Sequence, residues 1–321
     1  MDKKLDAVVL GEGVYGQAIY NVIKDAGKKA AYWTPESKGD QRELAEVVAT
    51  ANLILVCVSS RSFKQLMIEV GGYVRGNQCI VHLTKGLDGE SGMPMSEVIR
   101  ENSCILKIGA LSGPIVAGEL ERGEPGGGVI ASKFNEVKTA VQEVFSGSRL
   151  KVYGSDDLTG VEIGAVFTSI IAFGFGMVDG LGLGSSSRAL LMTRGASEMA
   201  RFGKACGADL NTFGGLAGIG NIMAACDSDQ DGERRAGIDF SKGESLDYIL
   251  ARHSEIESIA SIRAVYKKAQ EFHISLPIIN GLNACLEGTL AVASLKDQLM
   301  SIATSEEMAG ITFQPREMVY G

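Results

Sequence analysis

Three glycines at a fixed spacing are the first residues whose arrangement implies chemistry. Gly11-Glu12-Gly13-Val14-Tyr15-Gly16 has the pattern G-x-G-x-x-G, directly after the apolar run Ala7–Leu10 and before a stretch of helical spacing. In that setting the first glycine permits a tight turn and the second lets the backbone approach a pyrophosphate. The third lets helix and strand pack closely, and amides at the helix start hold the phosphates. The chemistry predicted is binding of a dinucleotide. Glu36 falls 20 residues after the third glycine, beyond the run Ala30–Trp33, where an acidic side chain reaches the adenosine ribose hydroxyls. No arginine stands between Thr34 and Ser37 to receive a 2′-phosphate, which favours NAD over NADP. The alternative for Glu36 is a solvated loop charge.

Other polar residues form no obvious catalytic cluster. His82 reads as a core or strand-end histidine, and His253 and His273 as solvent-exposed ones. Asp227, Asp229 and Asp231 alternate as at the start of a calcium loop, but no suitably spaced glutamate follows, so no metal site is expected.

These residues need elements to position them. Short apolar runs recur at Ala7–Leu10, Ala30–Trp33, Leu53–Val58, Cys79–Leu83, Ile105–Leu111 and Val129–Ala131. Between them lie stretches of helical period such as Tyr15–Lys24, Gln41–Thr50, Ser62–Val70 and Glu136–Phe145. Strand–helix alternation of this kind predicts an α/β fold, a doubly wound parallel sheet with helices on both faces. From about Asp156 the pattern turns helical throughout, at Leu158–Val178, Ser187–Ala205, Ile256–Glu271, Ile278–Glu287 and a last helix ending near Ile302. The expected organisation is a dinucleotide-binding domain at 1–154 and an all-α C-terminal domain at 155–321.

Composition narrows the classes of function. The 321 residues carry a formal net charge of −8, which disfavours non-specific binding to nucleic acid or anionic lipid. With 45% hydrophobic residues and only six prolines beside 41 glycines, the chain is neither disordered nor collagenous. Six cysteines scattered singly through apolar stretches read as reduced thiols of a cytoplasmic protein. The apolar run near the N-terminus is too short for a signal peptide. The uncharged run Ile163 to Val178 spans 16 residues, short of the roughly 18 to 20 that cross a bilayer, so no membrane insertion is expected.

Several segments carry a resemblance to a known family: GEGVYGQA at 11–18, HLTKGLD at 82–88, LSGPIVAGEL at 111–120, GVEIGA at 160–165, GMVDGLGLG at 176–184, MTRGASEM at 192–199 and GLAGIGN at 215–221. Nearly the whole chain resembles the NAD(P)-dependent glycerol-3-phosphate dehydrogenases. The resemblance implies a Rossmann domain followed by a helical substrate domain that tends to pair into a homodimer. It also implies hydride transfer between nicotinamide and C2 of dihydroxyacetone phosphate or glycerol 3-phosphate. On the cofactor side it assigns Gly11, Gly13, Val14, Tyr15 and Gly16, with Ala117 and Glu257 as further contacts, and Lys85 reaching both cofactor and substrate. The turn Ser112-Gly113-Pro114 with Ile115 falls on the substrate side.

The catalytic half of the pattern is altered. The family's catalytic lysine and the asparagine after it fall on Thr168 and Ser169, its G-L-G-D carboxylate on Asn221, and a nearby threonine on Ala225. A threonine hydroxyl can hydrogen-bond a substrate oxygen but cannot act as a base near neutral pH. Where the family grips the substrate phosphate with S-R-N-R-R, the chain reads Asp231-Gly232-Glu233-Arg234-Arg235. The phosphate arginine is thus Gly232 and the asparagine Glu233, and a two-residue shift would bring Arg234 to the phosphate. The expectation is an NAD(P)-dependent oxidoreductase acting on a small hydroxy or keto substrate, with Lys85, Thr168 and Asn221 at its centre. The alternative is a catalytically silent NAD(H)-binding homologue serving as a sensor or assembly partner. Glycines 164, 174, 176, 180, 182 and 184 are expected to permit close helix packing.

Overall fold

A computed structural model describes residues 5–34 and 41–301. The first half alternates strands β1 (Ala7–Gly11), β2 (Ala30–Trp33), β3 (Leu53–Cys57), β4 (Cys79–His82), β5 (Lys107–Ser112), β6 (Gly126–Ala131) and β7 (Leu150–Ser155) with helices. These are α1 (Gly13–Asp25), α2 (Gln41–Thr50), α3 (Ser60–Gly71), α4 (Met95–Asn102), α5 (Ala117–Glu121) and α6 (Asn135–Val144). The second half is helical: α7 (Leu158–Gly180), α8 (Ser185–Ala205), α9 (Leu210–Phe213), α10 (Asn221–Asp227), α11 (Gly232–Ser241), α12 (Leu246–Arg252), α13 (Ser258–Glu271), α14 (Pro277–Leu286) and α15 (Leu295–Ser301).

The strands form one seven-stranded sheet in the order β2-β1-β3-β4-β5-β6-β7, so chain order reverses beside β1. β1 and β3 are buried on both faces, which is why they read as unbroken apolar runs. Two features depart from the sequence expectation. β7 was not anticipated, because Leu150 and Val152 alternate with exposed Lys151 and Tyr153 in an edge strand with one wet face. The sheet is also mixed, since β6 runs antiparallel to β5. The link between them holds only the five-residue α5, too little helix for a full parallel crossover.

Beyond the sheet, α7 is the axis of the helical half and is buried from Gly160 to Val178. It is long and apolar enough to cross a membrane, but here its apolar stretch is wholly buried inside the protein. Asp157 caps its start by accepting from the Gly160 amide at 2.9 Å. Gly182 ends it in the left-handed region at φ 69°, with backbone bonds from Gly182 to Asp179 and from Leu183 to Val178.

The glycine expectation holds at three positions along α7. A Cβ at Gly176 would overlap the Arg234 carbonyl, one at Gly164 the Ala217 carbonyl, and one at Gly180 the Ser241 hydroxyl. Gly237 of α11 returns the contact, facing the Phe173 carbonyl. At Gly174 the neighbours are ordinary side-chain contacts, and Gly182 and Gly184 face open space. Those last two serve the turn between α7 and α8 rather than packing.

Two of the contacts that join the sheet half to the helical half lie at the start of α7. Glu162 of α7 accepts from His82 Nε2 at 3.0 Å and from the Ser96 amide and hydroxyl at 2.9 and 2.8 Å, so one carboxylate holds the end of β4 and the start of α4. His82 is therefore a core histidine, as its sequence position suggested. Beside this, Ala110, Ala131, Val161 and Ala217 form a small buried apolar cluster between the sheet and the helical half.

Candidate active site

The loops at the carboxyl ends of the strands open into a cleft of about 740 Å³ facing the helical half. Such an edge, beside the reversal of strand order, is where doubly wound sheets bind their ligands. Glu12, Val14 and Tyr15 line it after β1, Ser59 after β3, Lys85 after β4, and Ile115 and Ala117 after β5. The opposite wall comes from Thr168 and Ser169 of α7, Asn221 of α10, Asp231 to Glu233 at the start of α11, and residues 252–257.

The glycine loop has the geometry its spacing predicts. Gly13 opens α1 at φ 67°, a conformation costly for any side chain with a Cβ. Gly11 and Gly16 face one another so closely that a Cβ on either would stand 3.0 Å from the other's Cα, which lets α1 pack on β1. Glu12 reaches sideways, accepting from the Ser59 amide at 2.7 Å and tying the loop to the start of α3. Tyr15 brings a buried hydroxyl with no hydrogen-bond partner, and burial pushes its pKa up, so it is a wall of the cleft rather than an acid.

Lys85 occupies the inner corner. Its Nζ donates to Asn221 Oδ1 at 3.4 Å, and Asn221 Nδ2 in turn donates to Ser112 Oγ at 3.1 Å. Asn221 is set by the wide π-helical turn Leu216–Gly220, which lies against α7 at Gly164. Gly113 follows Ser112 at φ 147° and packs on Gly127 and Gly128 of β6. Burial lowers the pKa of Lys85, opposed by the negative charges of Asp231 and Glu233. Thr168 donates its hydroxyl to the Gly164 carbonyl one turn back at 2.8 Å, and Ser169 donates to the Lys85 carbonyl at 3.4 Å. Of the groups at this corner, only Lys85 can change its charge.

The outer end is held by carboxylates that cap helices. Asp231 caps α11 through the Arg234 amide at 3.0 Å, and burial raises its pKa. Glu233 accepts from the Glu257 and Ser258 amides at 2.7 and 3.3 Å, at the start of α13. Burial pushes Glu233 up to about 8. Glu257 accepts from the Ser60 amide at 2.7 Å and from the Ser60 hydroxyl, at the start of α3, and burial raises it too.

Two sequence expectations change here. Arg234 does not reach toward a substrate: it pairs with Asp179 at 2.8 Å and Asp229 at 2.7 Å and lies over the Phe175 ring. It precedes Gly237 by three residues, on the α11 face turned to α7, so Arg235 lines the cleft instead. His253 is not solvent-exposed, because its side chain is 7% exposed and bonded to Asp239 at 2.9 Å. His273 is exposed, in the left-handed position after α13. Glu36 lies outside the described residues. Among the described residues no group of three or more His, Cys, Asp or Glu could hold a metal.

Sequence reasoning missed Glu12, Glu255 and Ser60, which line or brace the cleft. Their partners lie about 50 to 240 residues away in the chain, and no local pattern marks such pairs.

The buried Glu233 has a measurable consequence. Its value near 8 in the fold exceeds the ordinary 4.5, so the folded protein holds this proton where the unfolded chain has released it. The stability this contributes is complete below pH 4.5 and is lost as pH rises to about 8. Glu198, raised to about 7 by burial, acts in the same direction. The melting temperature is expected to fall from pH 5 to 8.5, and Glu233→Gln to flatten that fall. Differential scanning calorimetry across the range checks it, and an unchanged slope in the variant would refute the assignment.

Comparison with known proteins decides the family. Residues 157–297 match the NAD-dependent glycerol-3-phosphate dehydrogenase C-terminus, and residues 35–138 the corresponding N-terminus. A glycerol-3-phosphate dehydrogenase [NAD(P)+] of Saccharophagus degradans is 30% identical, across 98% of this chain and 94% of that one. The chain belongs to the NAD-dependent glycerol-3-phosphate dehydrogenase family. A relative with the same name from Sphingopyxis alaskensis is 34% identical, over 85% of this chain and 82% of its own. Among solved structures, glycerol-3-phosphate dehydrogenase of Coxiella burnetii superposes with a TM-score of 0.86 at 26% identity, covering 93% of this chain and 99% of that one. Membership makes the chain an NAD(P)-dependent oxidoreductase of the class acting on CH–OH groups. It favours that reading over the silent homologue.

Proposed function

We propose that this chain transfers hydride between NAD(H) and a small hydroxy or keto substrate, and that Lys85 gives and takes the proton at the substrate oxygen. The observation that carries this is the half-buried Lys85 ammonium, held 3.4 Å from Asn221 at the inner corner of the cleft, with its pKa lowered by desolvation. A bound nicotinamide supplies the hydride acceptor for oxidation and the donor for reduction. The glycine loop and the start of α1 fit the dinucleotide's pyrophosphate, since Gly13, lacking a Cβ, lets an anion come against the loop, as the Glu255 carboxylate does here.

During oxidation the neutral amine of Lys85 accepts the hydroxyl proton. During reduction the ammonium returns it. Asn221 and Ser112 hold the amine in place, and Ser169 fixes the loop that carries it. Thr168 donates its hydroxyl hydrogen bond to the Gly164 carbonyl of its own helix and serves as wall.

The relatives are named for glycerol 3-phosphate, but the phosphate end of this cleft is different. Gly232 and Glu233 stand where the resemblance places an arginine and an asparagine, so a phosphate would find no guanidinium at position 232, and the Glu233 carboxyl beside it is already engaged with the amides at the start of α13. A substrate without phosphate suits this end better. In this reading residues 1–154 hold the dinucleotide and 155–321 the substrate. The six cysteines, all free thiols, are in keeping with a cytoplasmic enzyme. A homodimer follows from the pairing that the resemblance implies.

Separate calorimetric titrations test the proposal. NADH is expected to bind, NADPH to bind more weakly, and glycerol 3-phosphate to give no detectable heat with or without NADH. Tight binding and turnover of glycerol 3-phosphate would overturn the substrate reading. No oxidation or reduction across a panel of polyols, hydroxy acids and their carbonyl partners would overturn the catalytic one.

A further inference from the structure

Residues 252–257 run from α12 to α13 across the mouth of the cleft, and this strap is anchored at both ends. His253 is bonded to Asp239 at 2.9 Å, and Glu257 accepts from Ser60 at the start of α3. Arg61 donates to the carbonyls of Ser254 and Ile256, at 2.5 and 3.4 Å. Between these anchors the Glu255 carboxylate lies on the glycine loop. It packs against Gly13 so closely that a Cβ there would overlap Glu255 Oε1.

Gly13 is the first residue of the 13-residue α1, and the preceding Glu12 makes no side-chain cap, because its carboxylate is directed to Ser59. The positive end of α1 therefore faces an anion that the chain itself supplies from the far side of the cleft.

We infer that Glu255 competes with the cofactor's pyrophosphate for the glycine loop and so sets dinucleotide affinity. The inference rests on the dinucleotide-binding reading above. Two anions cannot share the start of one helix without repulsion, so the phosphates must displace this carboxylate. The strap is tied on both sides, and Glu255 is an exposed residue. Displacement is then a swing of one side chain, with the backbone left in place.

The test is fluorescence titration with NADH on the full chain and on Glu255→Gln and Glu255→Ala, with inorganic pyrophosphate as a competing probe. Both variants are expected to bind NADH about 2- to 5-fold more tightly, the range for one exposed charge at a helix start. Pyrophosphate alone should displace NADH at lower concentration from the variants than from an equally loaded wild type, once the difference in NADH affinity is allowed for. Unchanged NADH affinity in both variants overturns the inference and leaves dinucleotide binding standing. Weaker binding overturns it as well, since Glu255 would then be a cofactor contact. If no form binds NADH while all three melt alike, the dinucleotide reading itself falls.

Discussion

Lys85→Met is expected to lower kcat by about 10² to 10⁴, the usual contribution of a positioned acid or base, with little change in NADH affinity. Methionine keeps the length of the side chain and removes the only group at the inner corner that can exchange a proton. Lys85→Arg should fail nearly as badly, because a guanidinium does not give up its proton at working pH. The pH profile separates this role from simple charge. With wild type, oxidation should speed up as pH rises and Lys85 becomes a neutral amine, while reduction should slow. In the variants both trends should flatten. Steady-state rates in both directions across pH 6 to 10, on whichever substrate the panel identifies, make the measurement. A Lys85→Met enzyme that kept wild-type kcat would assign proton transfer elsewhere.

Gly176→Ala is expected to destabilise the protein by about 3 kcal/mol, at the upper end for forcing extra volume into a packed interior. The new Cβ would fall on the Arg234 carbonyl, a backbone atom that cannot rotate away. Gly237→Ala should behave alike, since its Cβ would meet the Phe173 carbonyl across the same crossing. For a chain of this size the loss corresponds to a fall in melting temperature of about 4 to 5 °C. Gly184→Ala is the control: it lies in open space after α7 and should melt close to wild type. Because α11 begins with Asp231 and Glu233, pushing it off α7 should also weaken substrate binding in any Gly176→Ala protein that folds. Equal melting temperatures for Gly176→Ala and Gly184→Ala would mean that α7 and α11 do not cross at these glycines.

Much of the fold was legible because burial leaves a local mark. β1, β3 and β4 show as solid apolar runs, and α7 as a long uncharged one. The glycine loop is readable because its function depends on backbone freedom at fixed spacing. β7 was not legible, since a half-wet edge strand mixes Lys151 and Tyr153 among its apolar residues, and the reversed β6 depends on how far a short link can travel. In the cleft, the substitutions at 168, 169 and 221 could be located by resemblance, but their consequence could not. That Thr168 turns its hydroxyl inward to Gly164 is a matter of rotamer and packing. The choice between Arg234 and Arg235 likewise depends on which face of α11 meets α7, decided by Gly176 and Gly237 from opposite ends of the crossing. Glu12, Glu255 and Glu257 act on residues far away in sequence, and only folding brings them together.

The cluster of Ala110, Ala131, Val161 and Ala217 gives the change of pattern near residue 155 a different meaning. Composition places a seam there, yet the first turns of α7 are buried against β5 and β6, and Glu162 fastens that same stretch to β4 and α4. A cut at the seam would strip the sheet of part of its own interior. The two halves are thus joined as one body at the corner that carries Lys85, and at the opposite rim, where the strap crosses the glycine loop, only a side chain has to move for the cofactor to enter.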